Sequence, residues 1–407
     1  MIDRRGWLGS ALAGGLAIAA GGLGGRASAQ EPKPQTKGRR TVRRPVTARD
    51  RTAMRPVLEP WETGLASDPR IETILAPMVE TYKPPGMIGA ILKGTAITAI
   101  GAVGIRKIGS SDPIRVTDQI HIGSCTKAMT ATMIGTLFED QLLAPSTTIS
   151  ELFPDDAPGL HPDFQKVTLW QLLTHRAGLP HDASWWTLAG QTTTEQRRSA
   201  MLQLMSKPPL TKPGTTYAYS NAGYALAGLM AEQATGQPWE DLMQERLFAP
   251  LNMFSAGFGP PGAGRPGTVD QPFGHHMVRG RLEATRHDNA ACLGPAGTVH
   301  CTTADWAKFA IAHLRGERAD GKLLRAETFR ELHTAPKGSQ YAAGWIVVNR
   351  PWAGGRALTH SGSNTYWYCT IWLAPARDFG ILVAANRGDG DVARACDEAV
   401  GALIGLA

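Results

Sequence analysis

Apolar residues follow helical spacing in some stretches of the chain and alternate in others, and the two patterns are unevenly distributed. Residues 68–82 carry a helical pattern, and residues 87–108, where Ile, Ala and Val alternate with Gly, predict two strands of an antiparallel hairpin. After a turn at Ser111-Asp112-Pro113, a helix is predicted to open at Gly123-Ser124 and run through Leu142. Its Ala128, Met129, Ala131, Met133, Ile134, Leu137 and Phe138 are apolar nearly all round, the mark of a buried helix. Helices are predicted at 169–175, 194–206, 220–235 and 238–248, with Gly/Pro-rich loops between elements, notably 257–267. A hairpin over 275–284 and helices at 303–315 and 326–332 follow. The end is strand-rich, at 342–349, 356–360, 367–374 and 379–386, and a helix over 391–406 closes the chain. Strands at both ends of a helical middle imply an α+β fold. One antiparallel sheet is built from both chain ends and flanked by helices, and the middle forms a mostly helical second lobe.

The first 60 residues do not share this patterning. Paired Arg4-Arg5 precede a weakly apolar Ala/Gly/Leu stretch that ends in Ala27-Ser28-Ala29, an A-x-A cleavage pattern. This predicts a twin-arginine signal peptide over 1–29 and a protein exported to the periplasm or otherwise outside the cytoplasm, with no transmembrane segment once the leader is removed. Residues 30–60 are rich in Pro, Thr and Arg and read as a disordered basic linker. Residues 61–407 form the expected folded domain. Charge divides in the same way. Residues 1–56 hold 12 of the chain's 42 Lys/Arg and 3 of its 35 Asp/Glu, so the remainder carries 30 against 32. The basic pI near 9.2 therefore belongs to the tail, and nucleic-acid binding by the folded part is unsupported.

Five cysteines are present, Cys125, Cys292, Cys301, Cys369 and Cys396, with no C-x-x-C or other metal spacing. Export would permit disulfides, and Cys292 with Cys301 is the pair closest in sequence. No glycine-rich phosphate loop stands out and the histidines are not at metal spacing, so no cofactor and no metal is expected.

Three short motifs each occur once and in order: Ser124-Cys125-Thr126-Lys127, Tyr219-Ser220-Asn221 and His360-Ser361-Gly362. A serine hydroxyl is a weak nucleophile and needs a base within reach. Lys127, one turn after Ser124 on the same face of a buried helix, is one candidate, its pKa lowered by burial. Tyr219 is the other, as a phenolate favoured by nearby cations. Asn221 offers an amide to hold Lys127 or a substrate carbonyl, and Ser220 or Asn221 would also cap the following helix. Gly362 lets a strand approach a ligand closely, so the N–H of Ser363 joins that of Ser124 as a candidate oxyanion hole.

The ordered set resembles the serine β-lactamase/penicillin-binding superfamily, specifically the class C-like branch with its D-alanyl-D-alanine carboxypeptidases, D-aminopeptidases and family VIII esterases. Residues 172–179 (LLTHRAGL), 294–298 (GPAGT) and 341–345 (YAAGW) also match that branch, and the similarity covers about 71–403. The resemblance implies a β-lactamase/transpeptidase-like fold, Ser124 as the acylated nucleophile, Lys127 and Tyr219 sharing proton transfer, and Asn221 contacting substrate. His360, Ser361 and Gly362 would hold the third-motif position. Most β-lactamases of the group have Lys-Thr-Gly there. A histidine is only partly charged at neutral pH, so weight shifts from β-lactams to esters, D-amino-acid peptides or related amides, with a small-molecule or peptide substrate. Trp185-Trp186 and Tyr366-Trp367-Tyr368 are candidate linings of an acyl pocket. A catalytically silent binding or scaffold protein that kept the fold is the competing reading.

Overall fold

The computed structural model describes residues 59, 62, 64–262, 264, 265, 267–318 and 323–406. The leader expected over 1–29 lies outside them, as does the 30–60 linker apart from residue 59. The longer helices are α1 (Pro69–Tyr82), α2 (Thr126–Glu139), α3 (Thr193–Met205), α4 (Asn221–Thr235), α5 (Thr303–Arg315) and α6 (Val392–Leu406). The strands are β1 (Gly86–Lys93), β2 (Ala96–Gly104), β3 (Gln119–His121), β4 (Gly257–Phe258), β5 (Gly274–Val278), β6 (Arg281–Thr285), β7 (Val299–Thr302), β8 (Ile346–Arg350), β9 (Gly355–Ser363), β10 (Tyr368–Ala374) and β11 (Phe379–Ala385).

A six-stranded antiparallel sheet in the order β2-β1-β11-β10-β9-β8 joins the two ends of the chain, as the distribution of alternating segments predicts. Its alternation sorts two cores. Met87, Ile91, Ile381 and Val383 face outward beneath Ile71 and Leu75 of α1 and Val392, Cys396, Val400 and Leu403 of α6. Their neighbours Ile88, Leu92, Leu382 and Ala384 join the larger inner core with α2, α4 and α5. The terminal helix α1 starts where Asp68 caps it, its carboxylate accepting from Arg70 N at 2.9 Å with Pro69 in the first turn. It ends at Lys83, which takes a left-handed conformation (φ 59°).

Several local expectations shift. The helix expected to begin at Gly123 opens as a 3-10 turn, Gly123–Cys125, before α2 proper. Only Ile346–Arg350 of the 342–349 stretch is strand. Gly344 (φ 80°) instead lies flat against α2, where a Cβ would come 2.4 Å from Ala128 Cα. Strand β9 is longer than the expected 356–360 and carries the whole third motif inside the sheet. Residues 238–248 divide into an α-helix, Trp239–Met243, and a π-helical turn, Gln244–Phe248. A small sheet in the order β3-β7-β4 goes unforeseen because its strands are two to four residues long, too short to show a period. All five cysteines are free. Cys292 does not pair with Cys301, and the close thiols are Cys125 and Cys369, with Sγ atoms 3.6 Å apart. No helix among the described residues is long and apolar enough to cross a membrane.

Candidate active site

Three segments distant in sequence converge on one serine. Ser124 sits in the 3-10 turn that opens α2, and Lys127 follows one turn later on the side facing α4. Tyr219 precedes Ser220, whose hydroxyl caps α4 by accepting from Gly223 N at 3.0 Å. Lys127 Nζ lies 3.0 Å from Ser124 Oγ and the Tyr219 hydroxyl 2.9 Å from the same oxygen. Lys127 also donates to Asn221 Oδ1 at 2.8 Å and to the Ala296 carbonyl at 2.7 Å. The second-motif Asn221 thus serves both as first residue of α4 and as a lysine partner.

Burial sets the protonation states. Lys127 is fully enclosed, and loss of hydration drops its pKa from an ordinary 10.5 to about 7, against the opposing pull of the Asp182 carboxylate. A neutral amine is therefore accessible near neutrality. Burial acts the other way on Tyr219, holding its phenol well above 10 and outweighing the hydrogen bond to Ser124. Burial therefore works against the expected phenolate, an anion that would have to exist without water.

The third motif presents its backbone to the serine. An added Cβ at Gly362 would lie 2.0 Å from the Ile122 carbonyl and 2.9 Å from Ser124 N, and one at Gly123 (φ 47°) would lie 2.4 Å from Ser363 N. Only glycines allow strand β9 and the nucleophile turn to meet this closely, which brings the N–H groups of Ser124 and Ser363 to one edge of the cleft. The side chains of the motif point to other work. Ser361 Oγ reaches Thr370 of β10 at 3.4 Å, and Ser363 Oγ accepts from Thr365 N at 3.0 Å. His360 is buried with both ring nitrogens occupied, Nε2 by the Tyr341 hydroxyl at 2.9 Å and Nδ1 by the Ser361 carbonyl at 2.6 Å. Burial, helped by the charge of Lys127, takes its pKa to about 3. His360 is thus a neutral strut beside the site, and the sequence-based picture of a titrating cation for a substrate carboxylate finds no support in this geometry.

Other residues at the site lie outside the three motifs, although His175 and Tyr341 fall in the 172–179 and 341–345 stretches. Tyr341 bonds His360. His175 accepts from Ser220 N at 3.1 Å and lies with its ring 4.3 Å from that of Tyr219. Asp182 accepts from Asn221 Nδ2 at 3.3 Å and from Trp185 Nε1 at 2.8 Å. Each is a single polar residue whose meaning depends on long-range packing. Of the candidate aromatics, Trp185 is buried while Trp186 is 78% exposed, and Trp367 is wholly buried against His121. A cavity of about 530 Å³, bordered by Thr193, Glu240, Phe258, Asp288, Asn289 and Thr298, lies alongside; none of Ser124, Lys127 and Tyr219 lines it. No cluster of three or more metal-ligating side chains occurs among the described residues.

The model of the family described as Beta-lactamase matches residues 71–405. The Unguisins hydrolase ungD of Aspergillus violaceofuscus is 28% identical over 349 residues, 76% of this chain and 59% of that protein, so the chain spans less than two thirds of that relative's length. Penicillin-binding protein 4 of Amycolatopsis lactamdurans is 25% identical over 70% of this chain and 77% of its own. Among solved structures, the octameric penicillin-binding protein homologue from Pyrococcus abyssi superposes with a TM-score of 0.69 at 22% identity, covering 83% of this chain and 77% of that one.

Proposed function

The chain belongs to the Beta-lactamase family, and from that premise we propose that it is a serine hydrolase, exported to the periplasm or otherwise outside the cytoplasm, that works through an acyl-enzyme on Ser124. One observation carries the reading: Ser124 Oγ is held between a lysine amine and a tyrosine hydroxyl, at 3.0 and 2.9 Å. Neutral Lys127 takes the hydroxyl proton as Oγ attacks the substrate carbonyl. The resulting oxyanion is received by the N–H groups of Ser124 and Ser363. Tyr219, kept as a neutral phenol, relays the proton from the lysine side to the departing alkoxide or amine, and the acyl group stays on Ser124. Water then attacks this ester, its proton returning along the same path, and the serine is restored. Lys127 is the base in this scheme because its pKa is lowered towards neutrality, while that of Tyr219 is raised.

The substrates proposed are esters and D-amino-acid peptides or related amides, with weak β-lactam turnover. The neutral, internally bonded His360 offers a substrate carboxylate no permanent charge at the third motif and so favours the uncharged esters of this set. A comparison of p-nitrophenyl esters, D-alanyl-D-alanine peptides and a chromogenic cephalosporin tests the specificity, with esters or peptides expected to exceed the cephalosporin in kcat/KM. A fluorophosphonate should add its mass to Ser124 and not to the Ser124→Ala protein. Absence of the adduct in the wild type would leave the silent-scaffold reading standing.

A further inference from the structure

The two halves of the oxyanion hole belong to different elements. Ser124 is in the turn after β3 and Ser363 ends β9. Neither motif explains what keeps their N–H groups in register. A set of buried polar contacts behind them does. Gly123 N, immediately before Ser124, donates to His121 Nδ1 at 3.1 Å. With Nδ1 the acceptor, the ring proton sits on Nε2, which faces the Asp288 carboxylate at 3.0 and 3.1 Å. Asp288 also accepts from Asn364 Nδ2 at 2.8 Å, and Asn364 immediately follows Ser363. Asn364 Oδ1 in turn accepts from Tyr366 N at 3.2 Å and Trp367 N at 3.1 Å, and the Trp367 indole stacks on the His121 ring with centroids 5.5 Å apart. The His121 side chain is wholly buried and that of Asp288 is 8% exposed.

We propose that Asp288 is a positioning residue that clamps the oxyanion hole, reaching one donor through His121 and Gly123 and the other through Asn364. The proposal rests on the acyl-enzyme reading above. The argument is geometric. Asp288 is carried by the loop between β6 and β7, outside all three motifs, yet its one carboxylate ends two hydrogen-bonded arms, each stopping one residue short of an oxyanion donor. The ring of His121 suits this task because it accepts at one edge and donates at the other. A carboxylate suits the hub because both of its oxygens accept. An asparagine would turn an NH₂ group towards the ring N–H or the Asn364 amide. A donor displaced by a fraction of an ångström still lets substrate bind but no longer meets the oxygen as charge develops on it, so the loss should fall on kcat.

The test compares wild type, Asp288→Asn, Asp288→Ala, His121→Ala and the Asp288→Ala/His121→Ala double variant in the full chain. The substrate is a p-nitrophenyl ester, with active sites counted by fluorophosphonate mass shift and folding followed by thermal melting. Removing a donor outright costs about 10²–10³ in kcat, so misplacing one should cost about 10- to 100-fold per labelled site. KM should move by less than about threefold. Affinity for a phenylboronic acid, whose tetrahedral adduct puts an oxygen in the hole, should fall by the same factor as kcat. The double variant should be little worse than Asp288→Ala alone, because His121 lies on one of the two arms that Asp288 ends. Where Asp288→Ala does not accumulate as folded protein, Asp288→Asn, of the same shape, carries the test. Variants that melt earlier but keep wild-type kcat and boronate affinity per labelled site would overturn the clamp, as would a multiplicative double variant. A wild type that takes no fluorophosphonate would overturn the acyl-enzyme reading instead.

Discussion

The two faces of the six-stranded sheet are built from the same strands and solve different problems. The outer face is closed by α1 and α6, and what it buries there is almost entirely aliphatic: Ile71, Leu75, Met87, Ile91, Ile381, Val383, Val400 and Leu403. The inner face lies against α5 and the turn that opens α2, and the core it joins encloses ionisable groups within an equally apolar setting. Among them are Lys127, His360, His121 and the His313–His333 pair joined at 2.8 Å. Burial of alkyl surface is favourable at any pH, whereas burial of a titratable group is favourable only in one protonation state. One face is therefore expected to hold the fold together, and the other to place chemistry at a cost in stability.

Lys127→Met is the largest expected break of this comparison. It removes the proposed base while keeping a long, unbranched side chain. Loss of general-base assistance is worth about 10²–10⁴ in kcat/KM. Stability should move in the opposite direction. In the folded state Lys127 has a pKa of about 7, against 10.5 in the unfolded chain. Between those values the unfolded chain holds a proton that the folded one lacks, so stability rises with pH through that window and the lysine costs most at and below neutrality. The methionine variant should melt higher than wild type at pH 7, with the advantage shrinking towards pH 10. A variant that is both inactive and less stable at pH 7 would show that the hydrogen bonds to Asn221 and Ala296 outweigh the desolvation.

Leu75→Ala asks the converse on the outer face. Leu75 is fully buried between α1 and the sheet, and such truncations cost about 2–5 kcal/mol. The urea midpoint should fall accordingly, while kcat per fluorophosphonate-labelled site stays at the wild-type value. A change in kcat would mean that the outer core also sets the geometry of the site.

The same contrast explains what the sequence discloses. The outer face is legible because its signal is periodic: α1, the β1–β2 hairpin, β10, β11 and α6 all follow from apolar spacing to within a few residues. Ser124, Lys127, Tyr219 and Asn221 are legible because they sit in short motifs whose chemistry demands proximity. His121, Asp288 and Asn364 are not legible, because their polar contacts cross large sequence separations, 167 residues between His121 and Asp288, with no period or spacing to betray them. Tyr341 and His175 fall in the 341–345 and 172–179 stretches, yet nothing in the sequence discloses their contacts with His360 and Ser220. His360 is visible in the third motif, but its surroundings are not. A histidine in a motif suggests a titrating group, and only the surrounding burial and the Tyr341 hydroxyl reveal a neutral strut. The signal peptide and linker expected over 1–60 fall almost wholly outside the described residues.

His360→Gln is the smallest of the expected effects and the most discriminating about the inner face. Glutamine offers one acceptor for the Tyr341 hydroxyl and one donor for the Ser361 carbonyl, the two roles the neutral ring now fills. The folded-state pKa of His360 is about 3, below its ordinary 6.5. Between those values the unfolded chain takes up a proton that the folded chain refuses, so this histidine's contribution is intact above about pH 6.5 and is lost as pH falls towards 3. His275, with a folded pKa of about 4, and His175 and His313, also lowered by burial, act in the same direction. Replacing His360 alone should therefore remove up to one proton from the slope, about 1.4 kcal/mol per pH unit, and leave the rest of the acid sensitivity in place. The rate should separate from the stability. With Lys127 as the proposed base, the acid limb of kcat/KM is expected near pH 7 and should keep its position in His360→Gln. Urea titrations across about pH 4–6 give the slope, and kcat/KM for one neutral and one anionic ester gives the limb. An unchanged slope would mean His360 carries its proton inside the fold. A KM that becomes pH-independent for the anionic ester alone would restore His360 as the group that meets a substrate carboxylate.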